Sequence, residues 1–252
     1  YLINAPRRLP SAPALIAAAV VALCAASNLW HNRAGTAPPT FDAAWYLENA
    51  CRFYHALREG GFSSFYAVYS HAFRFKAPLI SVLPLPAFYL FGPSHDAALL
   101  VNIAAMALLA AYLYRLGERL SSPTAGLLAV AIAMTMPLLY GVSRNFLVEY
   151  WLAALVSGAV YHLLRSDGLR RMDSVRRLGA LLGLGLLLKS LFPLYLLAPA
   201  ADILLRRRRE LGASFWRELE RPLKTLCLIA GAIALSWYAH NLVTTVGYAL
   251  RA

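Results

Sequence analysis

The topology of this chain depends on the stretch 78–92, which reads Pro78-Leu79-Ile80-Ser81-Val82-Leu83-Pro84-Leu85-Pro86-Ala87-Phe88-Tyr89-Leu90-Phe91-Gly92. It is apolar but has only fifteen residues, three of which are proline. As a helix rising about 1.5 Å per residue it would span ~22 Å, which is less than the ~30 Å hydrocarbon core of a bilayer. The stretch therefore predicts a surface or re-entrant helix rather than a membrane span.

The composition around this stretch is that of a membrane protein. Hydrophobic residues make up 60% of the 252 residues, charged residues 14%, and the mean hydropathy is +0.56. Basic residues in such a chain mark topology, so the net charge of +12 does not indicate a nucleic-acid partner. Besides 78–92, the apolar stretches are 12–30, 97–114, 123–140, 146–164, 178–188, 190–205 and 225–240. They predict an all-α, polytopic membrane helical bundle of about seven spans.

The basic residues support this reading of 78–92. If the stretch does not cross, sixteen of the 24 lysines and arginines fall on one side, in the segments 7–8, 115–119, 165–177 and 206–224. The positive-inside rule makes that side cytoplasmic. The same rule predicts that 178–205, which has arginines at both ends, is a helical hairpin. An alternative for 12–26 is a cleaved signal peptide, with Arg7 and Arg8 as its basic region.

Residues 31–96 then form a long external first loop. Its sequence Phe41-Asp42-Ala43-Ala44-Trp45-Tyr46-Leu47 opens a segment, 41–75, that holds eleven of the chain's thirty aromatic residues. Thr40 is placed to cap a helix, with Asp42 in its first turn. An apolar stripe with helical spacing follows at Tyr46, Ala50, Phe53 and Leu57. The loop is therefore predicted to carry amphipathic interfacial helices that contact a membrane-bound substrate.

Several charged side chains are predicted to share the external side: Asp42, Lys76, Arg144, Glu149, Lys189 and His240. Ionisable groups at a membrane face are costly to bury and often functional, and together these suit an anionic lipid head. Each also has a purely structural interpretation. Asp42 could stabilise a helix start, Glu149 could pair with Arg144, and Lys76 could reach toward lipid phosphates.

The order of these motifs resembles the C-type glycosyltransferase superfamily, in the branch of the protein O-mannosyltransferases and the aminoarabinose transferases. The first loop opens on an acid plus aromatics, and a Lys-Pro-Pro-Leu-like element precedes a short helix ending Leu-Phe-Gly. An acid follows a Ser-Arg pair, a Gly-Leu-rich helix ends in Lys, and a Trp-Tyr-x-x-Asn-like motif comes last. These motifs are Asp42 to Tyr46, Lys76 to Leu79, Leu90 to Gly92, Ser143-Arg144 with Glu149, Gly183 to Lys189, and Trp237 to Asn241.

The resemblance implies an inverting membrane glycosyltransferase of the bacterial cytoplasmic membrane, with an extracytoplasmic active face. The donor would be a polyprenyl-phosphate-linked hexose or pentose, and the acceptor a glycan, lipid or protein hydroxyl. Asp42 and Glu149 would be catalytic, and the substrate would contact Trp45, Tyr46, Lys76, Arg144, Lys189 and His240. No cofactor is required. A divalent cation on Asp42 and Glu149 is an alternative, although Asp42 lacks the following Glu, and Glu149 replaces the Asp, of many members.

The resemblance also implies that residues 1–252 form a single glycosyltransferase core, without the additional extracytoplasmic part that members carry. Two other classes of function stay open at this point. Pro193, Pro199, Lys189 and Asp202 are compatible with a transporter or flippase for a lipid-linked or anionic solute. The shortness of the chain is compatible with a non-catalytic, lipid-binding membrane subunit.

Overall fold

The computed structural model describes residues 11–35, 38–73 and 75–250, and these residues contain no β-strand. Arg7 and Arg8, used above to orient the N-terminus, lie outside the described residues. The all-α prediction is confirmed. The helices are α1 Ala12–Ala34, α2 Phe41–His71, α3 Leu79–Val82, α4 Leu85–Phe91, α5 His95–Leu120, α6 Pro123–Thr135, α7 Pro137–Val142, α8 Val148–Arg165, α9 Met172–Leu188, α10 Leu197–Leu211 and α11 Phe215–Ala249. Short 3-10 helices span Phe192–Leu196 and Gly212–Ser214.

Three helical segments of the described chain are long and apolar enough to cross a membrane: Ala12–Ala34, His95–Leu120 and Phe192–Gly247. Large apolar side chains on α1, α6 and α11 are exposed, as expected for surfaces solvated by lipid. The predicted continuous span 123–140 is wrong in detail, because the helix breaks at Met136, immediately before Pro137. A proline disfavours the α conformation of the residue before it. Seven spans stays a prediction.

The bundle has two chemically different ends. At one end, defined here as the arginine end, Arg119 Nη2 donates to the Leu164 carbonyl oxygen at 3.3 Å, and Arg170 pairs with Glu210 at 3.1 Å. The other end carries the aromatic first loop and is called the aromatic end here. There, Asn102 Nδ2 donates to the carbonyl oxygens of Ser143 and Asn145. Helices α5 and α8 therefore run between the same two ends.

The loop 31–96 begins and ends at the aromatic end. His31, Ala43, His95 and Arg144 all line one cleft there, so the chain between His31 and His95 returns to the level at which it started. The stretch 78–92 lies in this loop as two short helices, α3 and α4, which meet at Pro84. Ser81 Oγ connects this stretch to α2, because it donates to the Tyr46 carbonyl oxygen at 2.8 Å. This geometry supports the interpretation of 78–92 as a non-crossing element.

Helix α2 consists of two amphipathic halves that are joined by a kink at Gly61. Gly61 has φ +69°, a left-handed conformation that glycine adopts without steric cost. In the first half, the predicted stripe is buried at Tyr46, Ala50 and Phe53. Thr40 precedes the helix as predicted, but its side chain makes no capping hydrogen bond.

The stretch 178–205 folds as the predicted hairpin. Helix α9 ends at Leu188, and the chain turns at Lys189 to Leu191 before the 3-10 helix. Helix α10 then runs back, since Leu178 and Leu182 of α9 share a cleft with Ile203 and Leu204. The hairpin places Lys189 at the aromatic end and the arginines of α10 at the other.

Candidate functional site

Asp42 and Lys76 form an ion pair at the aromatic end. Asp42 lies in the first turn of α2, where unpaired backbone N–H groups favour a carboxylate. Lys76 Nζ lies 3.3 Å from Asp42 Oδ1. The Asp42 side chain is 51% exposed and that of Lys76 33% exposed, so both groups are accessible to a ligand.

Aromatic rings surround the Lys76 ammonium group. Its Nζ lies 5.0 Å from the Trp45 ring centroid and 5.7 Å from that of Tyr46. Both distances are within the range of cation–π attraction. Phe73, which has a left-handed φ of +58°, packs edge-on against Trp45 at 5.0 Å and Tyr46 at 5.7 Å. The aromatic residues of the loop thus hold a cation in place as well as covering apolar surface.

Glu149 and Lys189 form a second acid–lysine pair. Glu149 occupies the first turn of α8, Lys189 follows the last residue of α9, and Nζ lies 3.6 Å from Oε1. The pairing of Glu149 with Arg144, considered from the sequence, is therefore wrong. Lys189 comes closer because the α9–α10 turn brings it over the start of α8.

Tyr46 connects the two pairs. Burial raises the pKa of Tyr46, and the carboxylates of Asp42 and Glu149 both add to the rise. Both carboxylates therefore lie within electrostatic range of this one hydroxyl group. The two acid–lysine pairs therefore form a single cluster around Tyr46, although Lys76 of the first pair precedes Glu149 of the second by 73 residues.

Arg144 contacts polar groups of α1 and α7. Its guanidinium donates to the Tyr140 hydroxyl at 2.6 Å, Ser27 Oγ at 3.2 Å and Asn28 Oδ1 at 3.1 Å. It forms no ion pair with any described carboxylate, so its charge is not neutralised. Arg144 lines a cleft of about 230 Å³ that also includes Ala43, the residue after Asp42. A cation thus lines an open cleft beside the start of α2.

The ring contacts of His240 are with the second half of α2 and not with the residues of the acid–lysine cluster. Its ring lies 6.0 Å from Tyr66 and 6.3 Å from His71, at the second half of α2. Its neighbours on α11 have a positioning role. Trp237 Nε1 donates to the Ala72 carbonyl oxygen at 3.2 Å, and Asn241 Nδ2 donates to that of Ser70 at 2.6 Å. These bonds fix the chain just before Phe73 and Lys76.

The described part of the chain contains no group of three or more His, Cys, Asp or Glu side chains arranged to hold a metal ion. Asp42 and Glu149 each have a lysine ammonium as the nearest cation. As they stand, these two carboxylates fit a cationic lysine partner better than a shared divalent ion.

The sequence did not single out His31, Asn32, His95 and Asn145, which line the Arg144 cleft. Each lies at or near the end of a helix, and none belongs to a motif. The only signal was position: all four are polar residues next to an apolar stretch, at the end predicted to be external.

The sequence model of the dolichyl-phosphate-mannose-protein mannosyltransferases matches residues 75–237, which is well over half of the chain. The match includes Lys76, Arg144, Glu149 and Lys189 and begins after Asp42. No curated protein matches the sequence.

The fold is similar to the crystal structure of ArnT from Cupriavidus metallidurans in the apo state, with a TM-score of 0.63 and 15% identity. The likeness covers 90% of this chain and 42% of that one, so the chain spans less than half of the length of ArnT. At this identity the likeness shows the fold alone. The resemblance to the C-type glycosyltransferase superfamily is confirmed by the two comparisons together. The chain belongs to the dolichyl-phosphate-mannose-protein mannosyltransferase family.

Proposed function

We propose that this chain is an integral membrane glycosyltransferase that moves a sugar from a polyprenyl-phosphate donor to an acceptor hydroxyl. The reaction would take place at the aromatic end, which faces the extracytoplasmic side of a bacterial cytoplasmic membrane. The observation that carries the proposal is the accessible cluster of Asp42, Lys76, Glu149 and Lys189 around Tyr46. Acids that can accept a proton and cations that can bind a phosphate lie together there.

Asp42 is the general base of this mechanism. Its carboxylate accepts the proton of the acceptor hydroxyl, whose oxygen attacks the anomeric carbon of the sugar. The bond from that carbon to the lipid phosphate oxygen breaks, the lipid phosphate leaves with the electron pair, and the configuration inverts. A positioned base of this type contributes about 10²- to 10⁴-fold in rate. Glu149 orients the acceptor from the other side of Tyr46.

The cations stabilise the departing phosphate, where negative charge develops. Lys76 is close enough to Asp42 to bridge the base and the donor, and the Trp45 and Tyr46 rings restrict where its ammonium can go. Arg144 has no carboxylate partner among the described residues and lines a cleft beside Ala43. Preorganised charges of this kind act without reorganisation during the reaction. Lys189 balances Glu149 in the same cluster.

The family match supports sugar transfer, and the absence of a nucleotide-binding motif from the sequence agrees with a lipid-linked donor. The transporter hypothesis receives less support. Asp202 pairs with Arg206 at 2.9 Å near the arginine end and does not line a central path for a solute. Dependence on a divalent cation stays an alternative, and turnover in the presence of a chelator decides it.

The test is a donor-cleavage assay. Purified protein in detergent is incubated with a radiolabelled polyprenyl-phosphate sugar and an acceptor extract, and release of free polyprenyl phosphate is measured. Release that depends on both donor and protein is the expected result. Transport of the intact donor across a vesicle membrane without release would contradict the proposal in favour of a flippase. Binding without either would assign a non-catalytic lipid-binding role.

A further inference from the structure

A buried arginine lies at the opposite end of the bundle from the acid–lysine cluster. The Arg207 side chain on α10 is only 7% exposed. Its Nη1 pairs with Glu210 Oε2 at 3.3 Å, while its Nε is buried and has no hydrogen-bond partner among the described residues. A buried charged group with an unsatisfied donor costs folding free energy, so a compensating role for it is expected.

The loop between α8 and α9 is shaped around this arginine. Asp167, Gly168 and Leu169 have successive left-handed φ values of +52°, +64° and +67°, a conformation that is strained for Asp and Leu. A Cβ atom on Gly168 would lie 2.9 Å from Arg207 Cδ. Ser166 Oγ holds the turn by accepting from the Leu169 N–H at 3.1 Å. Strain of this kind persists only where the surrounding structure enforces it.

Arg207 faces a cationic cavity of about 430 Å³ between this loop and α11. Four arginines line it, Arg170, Arg207, Arg217 and Arg221, together with a single acid, Glu218. Arg217 and Arg221, one turn apart on α11, form no ion pair within the described part of the chain. Their charges are therefore available to an anion.

An apolar cleft adjoins the cationic cavity. Its volume is about 170 Å³, and it is lined by apolar side chains of α8 to α11. Leu169 lines both spaces, and Pro222 of the cationic cavity is followed directly by Leu223 of the apolar cleft. A ligand that fills both must carry an anionic head joined to a hydrocarbon chain. Trp216, 71% exposed beside Arg217, is a residue type enriched where the bilayer meets water.

We propose that this composite site binds an anionic phospholipid. The phosphate contacts Arg207, Arg217 and Arg221, and one acyl chain lies in the cleft beside Leu169 and Leu223. A free phosphate ion shares the chemistry of the head but leaves the apolar cleft unfilled. The site lies at the other end of the bundle from Asp42, so it does not depend on the proposed sugar transfer.

The experiment compares lipids and matched variants. Purified protein in detergent is titrated with dioleoylphosphatidylglycerol or dioleoylphosphatidylcholine, and bound lipid is counted by native mass spectrometry. The test variant is the double substitution Arg217→Gln/Arg221→Gln. Its control, Arg208→Gln/Arg209→Gln, makes the same charge change on exposed arginines outside the cavity. Each basic residue near an anionic lipid contributes roughly 5-fold to lipid affinity, so the test variant should lose about 25-fold in phosphatidylglycerol affinity.

Preference of the wild-type protein for phosphatidylglycerol, lost in the test variant and kept in the control, is the expected result. Gly168→Ala changes no charge, but its added methyl group would crowd the Arg207 side chain, so it should weaken binding of the same lipid. Equal binding of phosphatidylcholine, or equal loss in the two double variants, would overturn the proposal. So would complete displacement of the lipid by millimolar inorganic phosphate, which would reduce the site to a simple anion site.

Discussion

Gly185 of α9 offers a sharp test of how the bundle packs. A Cβ atom built at this position lies 2.3–2.4 Å from three atoms of the Phe192 ring, and Phe192 is fully buried. The atoms in contact are those nearest the Phe192 backbone, so a small side-chain rotation cannot relieve the overlap. Gly185 also accepts the Lys189 N–H at 2.8 Å, and Lys189 accepts the Phe192 N–H at 2.9 Å. Gly185→Ala should therefore disturb the turn that carries Lys189.

The change in the free energy of unfolding caused by Gly185→Ala is the sum of two opposed effects. Replacing a helical glycine by alanine stabilises a helix by about 0.5–1 kcal/mol. Overpacking a fully buried site costs about 1–3 kcal/mol, and the three contacts here justify the upper value. Gly185→Ala should then be destabilising by about 2 kcal/mol. Gly231 of α11 is the matched control, because nothing lies within 4 Å of its Cβ position. Gly231→Ala should be neutral or stabilising.

Thermal unfolding in detergent, followed by tryptophan fluorescence, compares the two variants. For a chain of this size about 1 kcal/mol shifts Tm by roughly 2–4 °C, so the two variants should differ by roughly 4–12 °C. A Tm of Gly185→Ala equal to or above that of Gly231→Ala would refute the packing of Phe192 against α9.

Three further predictions concern the site and its orientation. Lys76→Ala should weaken donor binding about 10- to 150-fold, the value of a charge-assisted contact, while the protein stays inserted; donor titration of the cleavage assay measures this. Trp237→Phe removes the donor to the Ala72 carbonyl and should cost about 1–3 kcal/mol in the same thermal assay, whereas an unchanged Tm would remove its positioning role. In a background without native cysteines, a cysteine at Ser63 should react with a membrane-impermeant reagent in intact cells and one at Ala213 should not; the reverse pattern would invert the proposed topology.

Much of the fold follows from patterns that a sequence displays directly. The three prolines of 78–92 and the arginines flanking 178–205 predicted a non-crossing element and a hairpin, because both features reflect length and charge along the chain. The break at Met136 could also be anticipated from Pro137, which disfavours the helical conformation before it. The apolar composition on both sides of the break hid it.

The pairings within the site could not be predicted in the same way. Residue types and their common end of the bundle suggested Asp42, Lys76, Glu149 and Lys189 as a group. The partner of Glu149 depends on where the α9–α10 turn lies relative to α8, and that turn includes the close approach of Phe192 to Gly185. The sequence placed the arginines of the cationic cavity only in the basic segments 165–177 and 206–224. It could not predict the cavity, because the burial of Arg207 depends on three left-handed residues that the sequence does not reveal.

In the proposed mechanism, Asp42 removes the acceptor proton. Its rival role is stabilisation of the α2 start, worth about 0.3–1 kcal/mol. Asparagine is nearly isosteric with aspartate but uncharged, so it cannot take up the proton and should lose no more than about 0.3–1 kcal/mol of stability. Glu48→Gln is the matched control, because Glu48 is an exposed carboxylate of the same helix that pairs with Arg52 outside the site.

Turnover of Asp42→Asn in the donor-cleavage assay is therefore the decisive measurement. We expect a loss of roughly 10²- to 10⁴-fold with Tm almost unchanged, and near wild-type turnover in Glu48→Gln. Turnover of Asp42→Asn within a few-fold of the wild type would contradict the mechanism and leave Asp42 as a helix-start residue.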